Sequence, residues 1–374
     1  MPAPAHRLPS VNSQVPRRAT LAQVAELAGV STMTASYTFG RPERVSAASR
    51  EKVLAAARAL GFTAPDPSAR SLRGGKAGAL GVVLGEHLTY AFDDPQATAF
   101  MAGVAEVCAE EGQAMTILPV TDATTDVARI SAAAVDGYVL WTTEDGAPVV
   151  DAAIATGRPV VVHSGPAVAG AHVVGIDNRA AARAVGRLVF AGGTVPAVLS
   201  FPLTGAREAA VVTGPDPDDA TFPVTRERLL GFRDAAGDVG ADWADVLVAV
   251  CSTNDAREAR AMTQELMSRT GRPDALATMS DELASGALRA IEAAGLHVPS
   301  DVALTGWDDA EAARAQGITS VAQSMREQGA ACARYALTGS PADFTDQWHV
   351  VERTSTRATT TGSARDVGGG SAEE

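Results

Sequence analysis

The chain has 374 residues, of which 46% are hydrophobic and 20% charged. At roughly 150 residues per domain this length predicts two or three globular units, and the composition excludes a disordered or collagen-like chain. The longest uncharged stretch, 188–206, is interrupted by Pro196, Pro202 and three glycines, and no basic-then-apolar leader opens the sequence, so neither a membrane span nor a secretory signal is expected.

Cys108, Cys251 and Cys332 are odd in number and far apart, which suits a reducing compartment and predicts a cytoplasmic protein. The net charge of −13 conceals an asymmetry. Residues 1–76 hold eleven Lys or Arg against Glu26, Glu43, Glu51 and Asp66, a balance of +7, so the remaining 298 residues carry −20. A basic head on an acidic body fits a protein whose one end meets phosphate, although short basic segments also arise by chance.

Residues 1–18 are Pro-rich and read as a disordered tail. The first structured stretch then runs TLAQVAELAGVSTMTASYTFG from Thr20. Thr20 with Gln23 forms a capping-box pattern, and Leu21, Val24, Ala25 and Ala28 recur at helical spacing, predicting a helix over 21–28 that Gly29 ends. Ser31 caps a second helix over 32–39. Ser46 and Ser49 announce a third, carried by Val53, Leu54, Ala57 and Leu60 and closed by Gly61. Two helices separated by three residues outline a helix-turn-helix; a three-helix bundle for protein contacts fits the same pattern.

This run, with VSAASREKVLAAARALGF after it, closely resembles the DNA-binding head of the lactose-repressor (LacI) family of bacterial transcription regulators. The resemblance implies a DNA-binding domain over 19–64, its second helix in the major groove. Thr32, Met33 and Tyr37 then fall where base-reading side chains sit, and Ser31, Thr34 and Ser36 where side chains meet phosphate. Tyr37 stands where the family usually has Arg, and Gly40 where it has Asn. The first difference removes a charged contact, so the operator of a relative does not transfer; Gly40 is expected in the positive-φ conformation that ends a helix.

Residues 65–77 form a Pro- and Gly-bounded linker. Six residues, 68–73, are too few to be helical alone in water. The resemblance implies a hinge helix that folds in the minor groove, with Leu72 as the wedge, Ala69 on the same face, and Arg70 and Arg73 toward phosphate or groove. A flexible tether whose Leu docks on the body is the alternative.

From Gly78 onward strand-like and helix-like runs alternate. ALGVVLG, AMTILPV, GYVLWTT and PVVVH form one set, and PAVLSFP, DVLVAV, ALATMS and DVALTGWDD a second, with helical segments between them. The expected fold is therefore a small all-α head plus an α/β body of two doubly wound parallel-sheet lobes, with a ligand between the carboxyl ends of their strands. The family resemblance extends over about 19–357 and implies a periplasmic-binding-protein-like body at 78–357. It implies a first lobe at about 78–177 and 309–338, a second at about 178–308 and 339–357, and a disordered tail at 358–374.

By the same resemblance Arg228 is the effector-clamping Arg, whose fork suits vicinal hydroxyls or a carboxylate, and Asp308 of GWDD accepts from ligand hydroxyls. Ser280 lies where sugar-binding members often have Asn. Phe92, Trp141 and Trp307 are candidates for an aromatic wall, core packing being the favoured role for the two tryptophans, and Asp94 adds an acceptor beside Phe92. His163 stands where an Asp is often found; at the cleft border it would add pH sensitivity.

The implied function is a ligand-responsive transcriptional regulator, a repressor acting as a homodimer on near-palindromic double-stranded operator DNA, with a small polar effector, a sugar, nucleoside or similar molecule. The competing classes are an enzyme and a two-lobed solute-binding protein without DNA-reading function. No nucleophile elbow, phosphate loop, metalloprotease motif or dinucleotide fingerprint occurs, and the six histidines show no metal-ligand spacing. No catalytic residue, metal or cofactor is expected.

Overall fold

The computed structural model describes residues 19–62, 76–121, 123–341, 344 and 347–357. The tails at 1–18 and 358–374 and the hinge positions Ala69, Arg70, Leu72 and Arg73 lie outside the described residues. The chain divides into two compact units, Met1–Ala77 and Gly78–Glu374.

Among the described residues of the first unit the capping chemistry places three α-helices: α1 (Leu21–Ala28), α2 (Thr32–Gly40) and α3 (Ala47–Ala59). The Thr20 hydroxyl accepts from the Gln23 amide at 3.3 Å while the Gln23 side chain accepts from the Thr20 amide at 2.8 Å, the reciprocal pair of a capping box. Ser31 and Ser46 accept from the amides of Thr34 and Ser49 in the same way. Val24, Ala25, Ala35, Val53, Ala56 and Ala57 form the small core, and Phe39 meets Phe62 edge-on at 5.6 Å. Two expectations are corrected. Leu60 is exposed because α3 ends one residue earlier, and Phe62 packs on the core in its place. Gly40 stays helical and does not take a left-handed φ, because Arg41, at φ −148°, ends the helix and returns its amide to the Tyr37 carbonyl.

Among its described residues the body contains two sheets. The first has order β2-β1-β3-β4-β5, built from β1 (Ala79–Leu84), β2 (Ala114–Pro119), β3 (Gly137–Trp141), β4 (Val160–His163) and β5 (His172–Val174), all parallel. β1, β3 and β4 are buried along their whole length, as their unbroken apolar runs require of strands covered on both faces. The second sheet has seven strands. Its centre is β6 (Pro196–Ser200), β8 (Leu247–Val250), β9 (Ala275–Thr278), β10 (Ala303–Asp308) and β11 (Thr319–Gln323), and its antiparallel edges are β7 (Ala210–Thr213) and β12 (Trp348–Val351). β7 was not expected: its four residues sit in a segment dense in Gly, Pro and Asp, where alternation is too short to read.

The lobe boundary also needs correction. Residues 309–323 belong to the second lobe, because β11 pairs in parallel with β10, Thr305 opposite Thr319 and Asp308 opposite Ala322. The chain crosses back to the first lobe only after β11, where helix Met325–Thr338 packs on helix Pro95–Glu110 and its Cys332, Ala333 and Ala336 enter the first-lobe core. It returns to the second sheet as β12.

Candidate functional site

On α2, at about 100° per residue, Thr32, Met33, Ser36 and Tyr37 share one arc of roughly 140°, opposite Ala35 and Thr38. Ala35 and Thr38 are buried, whereas Thr32 is exposed and Met33 is 64% exposed. Met33 is thus a bare apolar side chain on a helix whose other face is in the core. Ser31 and Thr34 are partly engaged with each other, their hydroxyls 2.9 Å apart, so each offers only its remaining capacity to a partner.

In the body the polar groups gather where the strands of both lobes end. Arg228 is placed there by helix packing. Gly231, three residues later on helix Pro223–Asp238, lies against the Arg179 carbonyl and Ala182 of helix Asn178–Phe190, so closely that a Cβ would collide with both. One turn earlier on the same face, Arg228 is therefore driven inward and is 6% exposed. Its Nε donates to Asn178 Oδ1 at 2.9 Å and Nη1 to the Met279 carbonyl, and its guanidinium carbon lies 3.8 Å from the Trp307 ring centroid. Burial pulls its pKa down to about 10, against the opposing pull of Asp308.

Asp308 closes β10 with φ 103°, and Asp309 follows with φ 51°. This corner is pinned from three sides. Asp309 bonds Arg353 at 2.6 Å and Arg314 at 3.0 Å, its amide donates to Ser320, and Ser320 donates to Asp281. Burial raises the Asp308 carboxyl well above the usual range, with Arg228 opposing, and raises Asp281 to about 6. Among the described residues the other non-glycine positive φ values are at Thr142, Ser164 and Arg207. Thr142 and Ser164 directly follow β3 and β4, so backbone strain concentrates at the strand ends facing the cleft, as it does at binding sites.

Ser280 caps helix Asp281–Ala293 and donates to Asn254 Oδ1 at 2.6 Å; Asn254 Nδ2 in turn donates to Asp94 Oδ2 at 2.8 Å across the cleft. Asp94 spends its other oxygen capping helix Pro95–Glu110 through the Ala97 amide, and burial raises its pKa. The Tyr90 hydroxyl reaches Asp94 and Asn254, and burial raises its pKa well above 10.

Arg228, Asp308, Ser280 and Asp94 are thus brought together. Phe92 is not brought into this cluster: it stands 66% exposed on the short helix Tyr90–Asp93, and it is Tyr90 of that helix that faces the polar cluster. Trp141 is buried, stacked on Phe100 at 5.1 Å, and backs the wall. Trp307 is fully buried beneath Arg228. His163 lies behind the cleft at the end of a directed chain: its Nε2 donates to Gln328, Gln328 to Gln323, and Gln323 to Asp308. Burial lowers its pKa to about 4, so it is neutral at physiological pH, and it is buried instead of lining the cleft border as expected. Tyr90, Asn254, Gln323 and Glu86 went unread in the sequence. Their available signal was position alone: Gln323 ends β11, Glu86 and Asn254 lie two and four residues past β1 and β8, and Tyr90 lies six past β1.

Residues 20–65 match the model for bacterial regulatory proteins of the lacI family, and residues 203–360 match that for periplasmic binding protein-like domains. An HTH-type transcriptional regulator of Mycobacterium tuberculosis is 36% identical over 84% of this chain and 89% of its own length. The chain belongs to the LacI family. The HTH-type regulator IpsA of Corynebacterium glutamicum is 35% identical over 83% of this chain and 88% of its own length. A LacI-family transcriptional regulator from Corynebacterium glutamicum superposes with a TM-score of 0.65 at 28% identity, covering 90% of this chain and 98% of the other. The CelR–cellobiose complex superposes with a TM-score of 0.61 at 25% identity, covering 90% and 100%. This LacI-family chain is accordingly a DNA-binding transcriptional regulator with a helical head and a two-lobed α/β body.

Proposed function

We propose that the protein is a cytoplasmic, homodimeric repressor whose operator affinity is set by a neutral, polyhydroxylated metabolite of the sugar type held between the lobes, and that it is not an enzyme. The observation that carries the ligand class is the opposition of buried Arg228 to Asp308 among Asp94, Asn254, Ser280, Tyr90 and Gln323. A carboxyl held toward its protonated form both donates and accepts, as a hydroxyl ligand requires. The two tryptophans have a face taken by Phe100 and Arg228, which favours hydroxyl recognition over stacking of a nucleobase. A CelR complex in the same fold carries cellobiose.

Operator reading falls to Thr32, Met33 and Tyr37, with Ser31, Thr34 and Ser36 toward phosphate and Ala69, Arg70, Leu72 and Arg73 at the hinge. Ligand binding closes or rearranges the lobes and so changes hinge spacing, and DNA affinity shifts by the difference in ligand affinity between the two states. The test is footprinting on DNA upstream of the protein's own gene at two salt concentrations, with and without a panel of sugars and nucleosides. A palindromic, salt-steep footprint abolished by one sugar supports the reading; no specific footprint, or control by a nucleoside alone, overturns it.

A further inference from the structure

Between β6 and helix Pro223–Asp238 lies a segment of 22 residues, 201–222. Strand-to-helix connections in such folds usually take about two to six residues. Its neck is tied: the Thr221 amide donates to the Leu203 carbonyl at 2.8 Å, and Leu203 packs on the second-lobe core. Beyond the neck it supplies edge strand β7, and Trp243 Nε1 holds Pro215 at 2.8 Å. The segment is built into the second lobe.

Its other contacts reach the first lobe. The Glu144 carboxylate, three residues past the end of β3, accepts from the Gly205 amide at 2.6 Å and from the Thr221 hydroxyl, both at the neck. The next residue, Asp145, donates its amide to the Thr221 carbonyl at 2.9 Å and pairs through its carboxylate with Arg226. Farther along, Arg207, held at φ 51° and lying over the Phe222 ring, pairs with Glu86 at 2.7 Å. Both side chains of that last pair are mostly shielded from solvent, so it escapes much of the screening that weakens surface pairs.

We propose that segment 201–222 is a clasp that fastens the lobes across the cleft through Glu144, Asp145 and Glu86, so that releasing it is the event that opens the way to the Arg228–Asp308 site. The link to ligand passage rests on the function proposed above; the clasp itself does not. Gly205 supplies a selective way to undo it. A Cβ there would collide with the Glu144 carboxylate, the far end of a flexible side chain, and Gly205 has no positive φ. Gly205→Ala therefore displaces Glu144 without burdening the fold, and Glu144→Ala removes the same acceptor independently.

The experiment is residue-resolved amide hydrogen exchange with small-angle scattering on the full-length protein and both variants, with no ligand or DNA added. Each variant is expected to speed exchange of the amides at positions 145 and 205 about tenfold, the effect of losing a charge-assisted hydrogen bond, and to enlarge the radius of gyration, while the β1 and β8 amides keep their rates. Unchanged exchange at positions 145 and 205 in both variants, or faster exchange with an unchanged radius, overturns the clasp. Either result leaves operator footprinting untouched, so failure here is separable from failure of the proposed function.

Discussion

The guanidinium of Arg228 lies over the indole of Trp307, 3.8 Å from the ring centroid, and Trp307 directly precedes Asp308. One stacking contact thereby ties the cation on a second-lobe helix to the acid at the end of β10. Lysine cannot bond Asn178 and Met279 at once while keeping the planar stack. Arg228→Lys is expected to weaken effector binding by roughly 10- to 100-fold, the range for a charge-assisted bond. Operator affinity without effector should persist. Titration calorimetry with the compound that alters the footprint checks this; unchanged affinity would remove Arg228 from the site.

His163 has one hydrogen-bonded nitrogen and one without a partner among the described residues: Nε2 faces Gln328 at 2.8 Å, and Nδ1 is buried without an acceptor. Protonating Nδ1 would bury a second, unmatched donor together with a charge, which explains why the pKa falls to about 4. Because the folded pKa lies below the unfolded value, the unfolded chain binds the proton first as pH drops. The contribution is present in full above pH 6.5 and is lost as pH falls from there toward 4. His163→Asn should flatten that limb of a pH-stability curve, by at most on the order of 3 kcal/mol. Denaturant unfolding from pH 4 to 8 measures it; an equal slope in both proteins contradicts the assignment.

Met33 is 64% exposed on the arc of α2 that faces away from the core. Met33→Ala should change head stability by no more than about 0.5 kcal/mol and yet cost roughly 5- to 100-fold in operator affinity. The loss should appear at all salt concentrations, since no phosphate contact is removed. Binding isotherms at two salt levels together with thermal melts test it. If affinity is unchanged, α2 does not present Met33 to the bases.

The head was legible in the sequence almost residue by residue because caps act over three or four positions. Thr20 and Gln23, Ser31 and Thr34, Ser46 and Ser49 each find their partner within one turn. Arg228 and Asp308 were legible through the family motifs around them, and the structure sets them within one cluster. The glycine at 40 misled because a helix end needs left-handed backbone only when no other residue satisfies it, and Arg41 does so here.

By itself the sequence determined the basic head, the three capped helices, the strand-and-helix alternation and the two-lobed class, all of which rest on composition and short-range periodicity. Only the tertiary structure decided that 309–323 stays in the second sheet, since an apolar strand pairs in either sheet until a neighbour such as Thr305 takes it. It also decided that Asn254 meets Asp94 and that Glu144 grips a segment some sixty residues away. Such contacts have no period and no spacing. They exist because two lobes, each folded on its own core, present their strand ends to one another.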